Sequence, residues 1–196
     1  MSLISFTYPK GPIDVSDRLL PLPEDGTVPE MPGWRYYHTP GHAPGHISLF
    51  RQRDKLLLAG DAFVTTNQES AWSVITQNKK MHGPPKYFTY NWISAERSVK
   101  TLAELEPAIA ATGHGKPMEG EELRHALHQL ADHFRDIAIP HSGRYIDEPA
   151  LVNYDGVQFT PPSKSRNLLL TVVGITTAAV VGFIVAKNRH KLSRIF

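Results

Sequence analysis

At 196 residues, 41% hydrophobic and 20% charged, the chain has the make-up of a folded protein with room for one buried core. Its formal charge of +2 traces largely to Lys187, Arg189, Lys191 and Arg194 near the C-terminus, which face no acid, so the basic balance does not imply a nucleic-acid partner. The absence of cysteine excludes a disulfide scaffold and every thiolate metal site, so a bound metal would have to rest on His, Asp or Glu.

No apolar run preceded by positive charge occurs near Met1, so no secretory leader is read there. The six prolines between Pro9 and Gly33 fix φ angles and remove donors, which predicts extended chain rather than helix. From Trp34 onward, short apolar runs bounded by Gly, Pro or charge predict strands over Trp34–Tyr37, Ile47–Arg51 and Lys55–Ala59, with another over Ala108–Thr112. Helical spacing predicts helices over Ser94–Glu106 and Gly120–Ile137, the latter with Leu123, Leu127, Leu130 and Phe134 on one face.

The domain plan is a globular part over residues 1–159, a Pro- and Ser-containing linker over 160–166, an apolar stretch over 167–186 and a basic tail over 187–196. The uncharged stretch Asn167–Ala186 is long enough for about 30 Å of hydrocarbon and is bracketed by Lys164, Arg166, Lys187 and Arg189. It is read as a single C-terminal transmembrane helix, a membrane anchor that leaves the globular part in the cytoplasm.

Ten histidines are about twice the usual share, and three of them form a series, His38-Thr-Pro-Gly-His42-Ala-Pro-Gly-His46, between two predicted strands. A loop stiffened by Gly and Pro can aim an imidazole at a metal, and it can equally be a turn whose rings face solvent. The run Lys55-Leu-Leu-Leu-Ala-Gly-Asp61 ends a strand on a carboxylate, where ligands gather in α/β sheets and where Asp also serves in turns. Ala111-Thr-Gly-His114-Gly sets one further imidazole between glycines after the last strand. His46 is read as orienting the loop or a ligand rather than binding metal. His125 and His128 read as a solvated helix face, and Tyr87, Phe88, Tyr90 and Trp92 as packing aromatics with a substrate pocket as the alternative.

Taken in order, HTPGHAPGH, LLLAGDAF and ATGHG resemble the later ligand motifs of the metallo-β-lactamase superfamily, over about residues 1–145, and HGPPKYFTYNW is similar to its bacterial hydrolase branch. The resemblance implies an α/β (α+β) fold, the C-terminal half of the family's αββα sandwich, with one mixed sheet and helices on one of its faces. It implies His42, Asp61 and His114 as metal ligands, with Asp61 bridging two metals and serving as the catalytic carboxylate, and zinc, iron or manganese as the metal. The implied activity is hydrolysis of a small-molecule ester, thioester, lactone or amide by metal-bound hydroxide. The family's HxHxDH signature occurs nowhere in the chain, leaving two protein ligands per metal where three or four are normal. The expectation is therefore a site incomplete as it stands: a reading frame that continues upstream of Met1, or a complementing chain or oligomer that supplies the rest. The alternative is a membrane-anchored, non-catalytic remnant acting by association.

Overall fold

A computed structural model describes residues 14–153 and 155–162. The described residues up to Thr160 belong to one compact unit. The strands are β1 (Trp34–His38), β2 (Ile47–Arg51), β3 (Leu56–Gly60), β4 (Ile109–Thr112) and β5 (Met118–Glu119), hydrogen-bonded in that order into one mixed sheet. Only the β3–β4 pair is parallel. Because parallel strands need a long crossover, the chain between them holds two helices, α1 (Ala71–Thr76) and α2 (Trp92–Glu104). After β5 come α3 (Gly120–Asp132), α4 (Phe134–Ala138) and a separate hairpin of β6 (Leu151–Asn153) and β7 (Gly156–Phe159).

Local chemistry accounts for these boundaries. The side chain of Asn91 accepts from the Ser94 amide at 2.9 Å, so α2 starts at Trp92 rather than at Ser94, where apolar periodicity alone puts it. Ser70 caps α1 in the same way, accepting from the Ser73 amide at 3.2 Å. The single helix expected over Gly120–Ile137 is broken at His133, whose backbone leaves the helical region (φ −116°, ψ 31°), so that Phe134 starts a second short helix and remains buried.

The core lies on one face of the sheet. Register places Phe50 beside Leu57, Leu57 beside Ala110 and Ala110 beside Met118, and this buried row packs with Val99 and Leu102 of α2 and Leu123, Leu127 and Leu130 of α3. The opposite face carries a second apolar row, Tyr36, Leu49, Leu58 and Ala111, flanked by Trp34, Leu56 and Ile109, and none of these residues is buried. Antiparallel strands with a solvated face normally alternate apolar with polar residues. Here both faces are apolar, and the helices occupy one of them.

The mixed sheet is as expected, but the membrane part of the fold is corrected. No helix among the described residues is long and apolar enough to cross a membrane. The stretch 167–186 itself lies outside the described residues. Among the described residues the fold is a mixed α/β domain with no membrane-spanning helix, and the anchor and membrane localisation read from hydropathy have no counterpart in it. The physical reason is that an uncharged run of spanning length meets a length criterion only; apolarity records a need for burial without identifying what provides it.

The two faces differ in what they contribute to stability. Leu57→Ala, in the fully buried row, is expected to cost about 2–5 kcal/mol. Leu58→Ala, on the partly exposed face, should cost well under half of that. Urea midpoints at constant m-value would show the difference, and equal costs would mean that both faces are buried in solution.

Candidate functional site

The site forms where the carboxyl ends of β3 and β4 meet the β1–β2 loop. Parallel pairing brings Gly60 beside Thr112 after a register shift, and the Gly113 amide donates to the Gly60 carbonyl at 2.8 Å, so Asp61 and His114 leave neighbouring strands side by side. The β1–β2 loop is pressed onto the start of α2. The amides of Tyr90 and Asn91 both donate to the Gly41 carbonyl (3.1 and 3.2 Å), and the Ser98 hydroxyl donates to the Pro40 carbonyl at 2.7 Å.

The three evenly spaced imidazoles of this loop have three different surroundings. His38 is exposed and its Nε2 lies 2.8 Å from the Pro44 carbonyl, closing the loop on itself. His42 points at the strand end, with Nε2 3.5 Å from Asp61 Oδ2. His46 lies beneath Asp61, and its Nε2 accepts the Asp61 backbone N–H at 2.9 Å. That acceptance fixes the tautomer: Nδ1 carries the proton, facing Thr39 Oγ1 at 2.8 Å and the Thr39 carbonyl at 3.1 Å. The Thr39 hydroxyl then donates to Ser48 Oγ (2.9 Å), which donates to the Ala59 carbonyl (3.0 Å). Burial holds the pKa of His46 below the ordinary imidazole value, and the neighbouring His42 adds to the effect, partly offset by Thr39 and Asp61.

Two glycines make this packing possible. Gly60 has φ +57°, and a Cβ there would stand 2.6 Å from His46 Nε2. A Cβ on Gly113 would stand 2.3 Å from Asp61 Oδ1. On the far side of the site, the fully buried Thr65 holds the last loop, its amide donating to the His114 carbonyl at 3.1 Å and its hydroxyl to the Lys116 carbonyl at 2.7 Å.

His114 Nε2 lies 3.6 Å from Asp61 Oδ1, so the two carboxylate oxygens each face a different imidazole. Neither separation is a good hydrogen bond. Donors about 2.0–2.2 Å from a tetrahedral ion stand about 3.4 Å apart, so each pair is spaced as two ligands of a shared cation would be. Asp61 Oδ1 and His42 Nδ1 are buried with no hydrogen-bond partner among the described residues, which marks them as groups still lacking one. Burial also lowers the pKa of His42, against the pull of the Asp61 carboxylate, favouring the neutral ring that a metal needs. The donor set thus fits a metal in kind and spacing. It falls short in number: no group of three or more His, Cys, Asp or Glu side chains able to hold one ion occurs among the described residues.

The remaining sequence expectations sort cleanly. His128 pairs with Glu106 at 2.6 Å on the surface, as a solvated helix face should. Trp92 is a buried packing residue, but Tyr87 and Phe88 are exposed beside a pocket of about 300 Å³ that His114 also lines, contrary to the packing reading for those two. Thr39, Ser48 and Thr65 carry the site's hydrogen bonds and have no sequence signature.

Comparison with known proteins places these features in context. A family model described as the metallo-beta-lactamase superfamily matches residues 3–114. The chain is 46% identical over 134 residues to the probable metallo-hydrolase YflN of Bacillus subtilis (strain 168), an alignment covering 68% of this chain and 51% of that protein. It is 30% identical over 104 residues to the probable metallo-hydrolase YybB of the same organism, covering 53% of this chain and 41% of that protein. A metallo-beta-lactamase family protein from Thermus thermophilus is similar at 24% identity and a TM-score of 0.39, covering 64% of this chain and 41% of that one. The chain spans about half the length of the curated relatives it matches, 51% and 41%.

The His46 contact can be tested without any metal. His46→Ala leaves the Asp61 amide and the Thr39 hydroxyl without their partner and is expected to cost about 1–3 kcal/mol. Gly60→Ala strains the backbone and displaces the same ring, at about 1–3 kcal/mol. Because both act through one contact, the double variant should lose clearly less than the sum in chemical denaturation; strict additivity would place the strain of Gly60→Ala elsewhere.

Proposed function

The chain belongs to the metallo-β-lactamase superfamily, whose model matches more than half of it, and on that premise we propose that His42, Asp61 and His114 form part of a dinuclear metal centre of a small-molecule hydrolase. The observation that carries this reading is the sharing of one carboxylate: Oδ2 faces His42 at 3.5 Å and Oδ1 faces His114 at 3.6 Å. When bound, the metal supplies Lewis acidity, lowering the pKa of a water and polarising the carbonyl of an ester, thioester, lactone or amide. Zinc is the ion proposed, since imidazole and carboxylate suit it; the same donors suit iron and manganese.

The protein's part in such a centre is positional. His46 holds the Asp61 backbone from below, Gly60 and Gly113 let the carboxylate approach the strand ends, and Thr65 fixes the loop that presents His114. Asp61 would supply carboxylate oxygens to a bound metal, and His42 and His114 would each supply one imidazole nitrogen. With two donors per ion, further donors are required beyond these three residues.

A second reading, a non-catalytic module that binds metal only weakly, is favoured by the same shortage of donors. Zinc titration of the full chain by calorimetry, followed by hydrolysis of a neutral ester in the presence of zinc, separates the two. Uptake without turnover supports the module; turnover that requires Asp61 supports the hydrolase.

The shared carboxylate makes a distinctive prediction. Asp61→Ala is expected to weaken zinc uptake more than His42→Ala or His114→Ala does, because its carboxylate faces both imidazoles. Zinc uptake by Asp61→Ala equal to that of the unaltered chain would sink the proposed centre.

A further inference from the structure

We propose that the pocket beside His114 receives an uncharged, apolar acyl or aryl part of the substrate, which rests on the hydrolase reading above. The pocket has a volume of about 300 Å³ and is walled by Thr66, Gln68, Gln77, Tyr87, Phe88 and His114, among others. That volume equals roughly ten waters and sits at the small end of ligand-site sizes, so it takes one group rather than a large molecule. His114 belongs both to this wall and to the proposed metal centre, where it faces Asp61. Whatever occupies the pocket therefore lies next to the reacting bond.

The chemistry of the wall selects the occupant. No Asp, Glu, Lys or Arg lines it. Lys86, adjacent to Tyr87 in the chain, pairs with Glu69 at 3.0 Å and does not line the pocket. In the metal-free chain, a carboxylate or phosphate in this pocket meets no countercharge from the wall. Conversely, Tyr87 and Phe88 are 78% and 73% exposed, which leaves two aromatic rings wetted at the pocket wall. Large apolar groups gathered at a concave site gain by covering a ligand's apolar surface. The amide of Gln68 adds a polar group able to orient a carbonyl or hydroxyl without demanding charge.

The test uses the full chain and three amide probes: hexanamide, acetamide and the carboxylate 6-amino-6-oxohexanoate, with binding followed at pH 7 by amide chemical-shift perturbation. Hexanamide is expected to bind at least about tenfold more tightly than either other probe, because only it brings an uncharged apolar chain. Replacing both exposed rings, Tyr87→Ala with Phe88→Ala, should weaken hexanamide by about tenfold while far-UV circular dichroism and zinc uptake stay unchanged. Equal affinity for hexanamide and the carboxylate, or an unchanged hexanamide affinity in the double variant, overturns the proposal. If zinc uptake fails in the unaltered chain but hexanamide selectivity and its loss in the double variant persist, the pocket stands and the metal reading falls.

Discussion

The bond from the Asp61 amide to His46 Nε2 is the contact on which the rest of the site depends. It ties the turn after β3 to the loop between β1 and β2, and it continues through Thr39 and Ser48 to the Ala59 carbonyl, so that one directional chain of donors joins three consecutive strands. Each member has a single way to point its hydrogen once the Asp61 amide has taken Nε2. A buried network satisfied in this manner rigidifies its surroundings, whereas one missing partner would leave several polar groups buried and unmatched. Rigidity here is a requirement of the chemistry, because a carboxylate that must face two imidazoles at once has little rotational freedom to lose.

Electrostatics and geometry agree at this point. Burial disfavours charge on His42 and His46. It therefore supplies a neutral ligand ring in one case and a fixed tautomer in the other. The Asp61 carboxyl group lies near both rings, with no hydrogen-bond partner for Oδ1 among the described residues. An arrangement that leaves a carboxylate oxygen and an imidazole nitrogen buried and unmatched is costly for a fold and reasonable for a binding site.

Strands β1 to β4 and the two long helices were legible in the sequence because their signals are local, short bounded apolar runs such as Ile47–Arg51 and the recurrence of Leu123, Leu127 and Leu130 along α3, whereas β5, β6 and β7 were not foreseen. His42, Asp61 and His114 were singled out by the family resemblance of their three motifs taken together, since each Gly- or Pro-containing loop alone reads equally as a turn. What escaped were features made by contact. Helix α1, capped by Ser70 and only 6 residues long, is too short to show a helical pattern. The wall containing Thr66, Gln77 and Phe88 joins segments distant in sequence. Thr39, Ser48 and Thr65 are ordinary residues until burial leaves their hydroxyls only specific partners. The apolar run Asn167–Ala186 is a strong local signal that lies outside the described residues, among which no helix is long and apolar enough to cross a membrane.

The division of labour within His38, His42 and His46 bears on the denatured state. In the folded chain His38 is engaged by the Pro44 carbonyl and His46 by Thr39 and Asp61, which leaves His42 as the ring of the three directed at the strand end. Once unfolded, all three rings are released within one short, histidine-dense segment, which becomes a chelator in its own right. Cations captured there stabilise the disordered chain and subtract from whatever stabilisation they lend the native one. Raising the metal concentration thus brings diminishing returns in melting temperature, and partitioning these imidazoles is something only folding accomplishes.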